Sequence, residues 1–189
     1  MIKAFTTPDF TQAHRLRLNT LIRLRWLAIV GQSVTVIVVA YWLRFPLPVS
    51  LCFALIACSA WLNLFLTFRY PSTHRLPPNS ALATLLFDSL QLACLLYLTG
   101  GLTNPFALLL TVPVVISATT LSLRMTAILG FLVMAMATVL VFRHHPLPWT
   151  EGQRLAMPFV YVAGMWMAVF LTLAHGALWL AVDYLPKHV

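Results

Sequence analysis

The chain has 189 residues, 61% hydrophobic and 8% charged, with a formal net charge of +8. A soluble domain carries about a quarter of its residues as charges, so the composition excludes an ordinary soluble enzyme and points to a polytopic membrane protein. The positive excess does not signal nucleic acid binding: the basic residues lie at the ends of apolar runs rather than on one soluble face, where anionic lipid head groups are the expected partners.

Residues 1–25 read as a basic cytoplasmic segment. Between Asp9 and Arg25, Phe10, Ala13, Leu16, Leu21 and Leu24 are interspersed with four arginines. That pattern fits an interfacial helix, and it fits equally a segment whose charge only sets topology. A cleavable signal peptide is not expected, because a mostly polar stretch precedes the first apolar run and no small-x-small site clearly follows it. Residues 26–182 read as an all-α, six-helix transmembrane domain, with helices predicted at 26–43, 47–68, 81–99, 106–122, 125–142 and 157–182. At 1.5 Å per residue each reaches about 25–39 Å, the range expected for helices set in a hydrocarbon core of about 30 Å. Residues 183–189 form a short cytoplasmic tail.

Of the 12 lysines and arginines, nine fall on one side of this arrangement: Lys3, Arg15, Arg17, Arg23, Arg25, Arg69, Arg75, Arg124 and Lys187. Arg44, Arg143 and Arg154 fall on the other. The bias predicts both termini in the cytoplasm. Trp26, Trp42, Trp149 and Trp179 lie near span boundaries as aromatic anchors, whereas Trp61 and Trp166 sit deeper and read as packing residues. Cys52, Cys58 and Cys94 lie inside apolar runs without C-x-x-C spacing, so they read as small buried hydrophobes and no metal site is expected. His144 and His145, adjacent in an outer loop, read as solvated.

One connector stands apart. Gly100-Gly101-Leu102-Thr103-Asn104-Pro105-Phe106 carries no charge, although most polar connectors here carry arginine or histidine. As a helical hairpin every residue has a use: the glycines end one helix in left-handed geometry, Asn104 caps the next, and Pro105 suits its first position. As a ligand site it offers backbone N–H groups, an amide and an aromatic ring at the outer face. These suit a neutral, lipid-soluble ligand with a polar head, such as a quinone.

The sequence G-G-x-x-N-P-F resembles the quinone-binding heptapeptide of the RegB/PrrB/ActS-type redox-sensing histidine kinases. Leu21-Ile22-Arg23-Leu24-Arg25-Trp26-Leu27-Ala28-Ile29-Val30-Gly31-Gln32 is similar to that family's entry into the first span. Pro113-Val114-Val115-Ile116-Ser117-Ala118-Thr119 is similar to the span after the heptapeptide. The resemblance implies a membrane sensor region that binds ubiquinone through Gly100, Gly101, Asn104, Pro105 and Phe106. It further implies ATP-dependent autophosphorylation of a cytoplasmic kinase domain, a cognate response regulator and a homodimer. These 189 residues contain no histidine box or glycine-rich nucleotide lid, and none of the three cysteines matches the family's redox-active one. Kinase activity is therefore not expected in these residues: either the chain is a sensor fragment whose kinase domain lies elsewhere, or the homologue has lost its output.

Within the spans, Gln32, Asn63, Asp88 and His175 fall about 8–11 Å inside the inner boundary. An ionisable group at that depth needs a partner. The expected pairing is Asp88 with His175, near Asn63 or Gln32, as a signalling relay or as simple interhelical glue. Gln91, three residues on, shares a helix face with Asp88. Pro113 removes a helical hydrogen bond and predicts a kink. A small transporter and a lipid-modifying membrane enzyme are the alternative functions. The four acidic residues are too scattered for the latter's catalytic cluster, and no internal repeat favours the former.

Overall fold

A computed structural model describes residues 18–42, 44–70, 76–145, 164 and 166–167, and these residues contain helices but no strand. Helix α1 (Leu18–Ile37) continues into a π-helical turn, Val38–Trp42. Helices α2 (Val49–Arg69) and α3 (Pro78–Leu98) follow, then short 3₁₀ segments at Gly101–Thr103 and Pro105–Thr111. Helices α4 (Val112–Thr120) and α5 (Leu123–Phe142) complete the described series. Four helical stretches, Leu21–Trp42, Val49–Arg69, Pro78–Leu98 and Leu123–Phe142, are long and apolar enough to cross a membrane. The predicted sixth helix, with His175 and Trp179, lies almost wholly outside the described residues.

Helix α3 is the hub. It packs on α2, α4 and α5, and one core cluster gathers Leu85, Leu92 and Leu96 with Leu110, Val114, Leu129 and Val133. A second cluster joins α1, α2 and α3 through Ile29, Val36, Cys52, Ile56 and Leu95. The outward faces remain apolar: Leu27, Trp42, Trp61, Phe68 and Phe131 are all exposed. That is the expected surface where the solvent is lipid, since apolar side chains have no reason to avoid it.

Three sequence expectations change here. The fourth predicted helix, 106–122, is not one α-helix: Pro105–Thr111 is wound as 3₁₀ and only Val112–Thr120 is α. Pro113 has no N–H to donate to the carbonyl of Leu109, which instead accepts from the N–H of Val112, so the expected kink takes the form of a tightened winding. Trp61 is not a packing residue but faces outward at 73% exposure, and Trp166 is also exposed. Of the cysteines only Cys52 is buried; Cys58 is exposed and Cys94 half-buried, and all three are free thiols.

Candidate functional site

The turn after α3 is built by its own residues. Gly100 and Gly101 have φ of 105° and 59°, left-handed values that suit glycine. Both glycines are buried. A Cβ on Gly101 would stand 2.7 Å from the Cβ and Cγ of His144 and 2.9 Å from the carbonyl oxygen of Leu140. The turn is thus seated on the end of α5. His144 is half-buried with its Nδ1 2.9 Å from that same carbonyl, and the N–H of His145 donates to the carbonyl of Tyr97. The loop histidines, read as solvated, in fact clasp the turn, although the imidazole of His145 remains exposed.

Asn104 is equally occupied. Its Nδ2 donates to the carbonyl and the Oγ1 of Thr99, at 3.0 and 2.9 Å, and its Oδ1 accepts from the N–H of Phe106 at 3.0 Å. Both amide hydrogens are used within the protein, so the side chain pins the turn and caps the 3₁₀ helix, as its place before Pro105 suggests. The Phe106 ring is different: it is 43% exposed.

Beside this ring lies a groove of about 550 Å³ between α1, α3 and the second 3₁₀ segment. Phe106, Asn104 and Thr99 border it at the turn, while Leu24, Leu27 and Gln32 border it along α1. Its wall is nearly all aliphatic. The structure therefore brings three of the sequence-predicted residues, Asn104, Phe106 and Gln32, to one cavity. Gly101 lies against the end of α5 instead.

Two polar links cross the α1–α3 seam. Gln91 Nε2 donates to Gln32 Oε1 at 3.0 Å, and Gln32 Nε2 donates to Gln91 Oε1 at 3.5 Å, a reciprocal amide pair. Nearer the start of both helices, Arg25 Nη2 stands 2.8 Å from Asp88 Oδ1. The guanidinium also lies 5.5 Å from the centre of the Phe87 ring, within range of a cation–π contact. Arg25 is 4% exposed, and its Nε and Nη1 have no hydrogen-bond partner among the described residues.

So the described partner of Asp88 is Arg25, which the sequence reading assigned to topology; His175 lies outside the described residues. Asn63 does not join this seam: its Nδ2 donates to the carbonyl of Ile22 at 3.1 Å, tying α2 to α1. Arg25 was missed because Trp26 marks a plausible span boundary. The available signal was spacing: Arg25 and Gln32 are seven residues apart on α1, and Asp88 and Gln91 three apart on α3, so each pair shares a helix face.

An all-α build with several membrane-length apolar helices belongs here to the class of histidine-kinase membrane sensor regions, as comparison with known proteins shows. The chain is 43% identical over 155 residues to the sensor histidine kinase RegB of Cereibacter sphaeroides, covering 82% of this chain and 34% of that relative. A second RegB sequence of the species is 44% identical over 83 residues, or 44% of this chain and 18% of the relative. The chain is a RegB-type sensor kinase region, spanning about a third of the length of the first relative. No family model and no solved structure matches it.

Proposed function

We propose that this region senses the redox state of the ubiquinone pool, and that the quinone occupies the groove beside Phe106. The observation that carries this reading is an aliphatic cavity adjoining the G-G-x-x-N-P-F turn, with an exposed aromatic ring at its edge. A quinone packs on such a face, and its isoprenoid tail is at home along aliphatic walls. Gly100, Gly101 and Asn104 serve by holding the turn, so that Pro105 starts the 3₁₀ segment and Phe106 is presented to the groove.

Signalling requires only that oxidised and reduced quinone favour different helix arrangements. The α1–α3 seam is the natural reporter, because the groove lies between those helices. Six spans in a bacterial inner membrane, cytoplasmic termini, a homodimer, an autophosphorylating kinase domain beyond this chain and its response regulator complete the proposal.

The test is titration of the purified chain in lipid nanodiscs with ubiquinone, read by quenching of tryptophan fluorescence. Phe106→Ala should weaken binding about fivefold or more, as expected for losing an aromatic packing contact of about 1 kcal/mol, with the helix content unchanged. Equal affinity of the variant and the wild type would refute the groove as the quinone site.

A further inference from the structure

Among the described residues, four polar side chains border the groove: Gln32, Thr35, Thr99 and Asn104. Three have no proton to offer. The Thr35 hydroxyl donates to the carbonyl of Gly31 and the Thr99 hydroxyl to that of Leu95, both at 2.8 Å. Both amide hydrogens of Asn104 go to Thr99. Gln32 differs. Its Nε2 carries two hydrogens and gives one, across a long 3.5 Å contact, to Gln91. Its Oε1 accepts once, from Gln91 at 3.0 Å, and an amide oxygen has two lone pairs.

We infer that Gln32, backed by Gln91, is the headgroup-reading residue of the groove, and that the ligand's carbonyl-bearing ring sits against it rather than at the turn. This rests on the quinone reading above and sharpens it. Gln91 lies eight residues before Thr99 on α3, so the ring would sit about 12 Å deeper than the turn. Phe106, at the mouth, then packs on the departing tail.

The amide pair also supplies redox discrimination. A quinone carbonyl only accepts, so it takes the free N–H of Gln32. A quinol hydroxyl also donates, and it turns to the open lone pair of Oε1. The two ligand states thus engage different atoms of the amide pair that joins α1 to α3.

The experiment uses the whole chain in nanodiscs with two probes, ubiquinone-2 and geranylbenzene, which has a similar tail but no carbonyl. Gln32→Leu should lower ubiquinone-2 affinity roughly five- to tenfold, the fold-change of one buried hydrogen bond, and leave geranylbenzene unchanged. The double variant Gln32→Leu/Gln91→Leu removes both partners of the pair, guards against a merely unpaired amide, and should show the same selective loss. Phe106→Ala should weaken both probes. If wild type binds ubiquinone-2 and both glutamine variants bind it as well, the headgroup assignment is overturned while the groove stands. Equal losses for the two probes in both glutamine variants would overturn it too, as structural damage. No ubiquinone-2 binding by wild type would remove both readings.

Discussion

The turn at Gly100–Phe106 and the seam between α1 and α3 put polar groups to opposite uses. In the turn, Asn104 bonds Thr99 twice and Phe106 once, and Gly101 fits only because it lacks a Cβ. In the seam, Gln32 and Gln91 hold each other through one short and one long bond, and two guanidinium nitrogens of Arg25 have no hydrogen-bond partner among the described residues. Polar groups that are fully satisfied inside the protein fix its shape. Those left partly satisfied beside a cavity are the ones a ligand can engage. The difference separates the residues that build the groove from those that read its contents.

The comparison can be broken most forcefully at the ion pair. Asp88→Ala leaves the Arg25 guanidinium buried and uncompensated, which should cost about 3–5 kcal/mol. Arg25→Met combined with Asp88→Leu should recover most of it, and denaturant unfolding in mild detergent measures both. A double variant no more stable than the single would mean that the pair carries no such load.

Gly101→Ala strikes the turn. A left-handed φ of 59° and a Cβ at 2.7 Å from His144 together predict a loss of about 2–4 kcal/mol, visible as a lowered melting temperature. An unchanged melting temperature would show that α5 gives way without cost. Asn104→Ala should cost least, about 1 kcal/mol for a lost cap, while the folded variant keeps its ubiquinone affinity. A selective loss of affinity with no loss of stability would reverse the roles assigned to turn and seam.

The apolar helices were legible in the sequence because continuous runs of membrane length admit no other reading. The observed ends of α2, α3 and α5 fall within three residues of those predicted. The winding at Pro105–Thr111 was not legible, since Pro113 signals a missing bond but not whether the chain bends or tightens. At the turn, Asn104 and Pro105 foretold the cap, whereas nothing local revealed that His144 would press on Gly101. Asp88 was identified by the cost of a charge at its depth. Its partner depends on the register of α1 against α3, a tertiary quantity that periodicity within either helix leaves open.

The 3₁₀ stretch has a consequence for reach. In Pro105–Thr111, Ala107 and Leu110 are buried three residues apart, as expected where side chains eclipse at every third position. Seven residues at about 2.0 Å rise extend about 14 Å, against about 10.5 Å for the same residues in α form. With the nine residues of α4 adding about 13.5 Å, the segment reaches about 27.5 Å, where the same residues wound wholly as α-helix would reach about 24 Å. Tighter coiling here lengthens the strut.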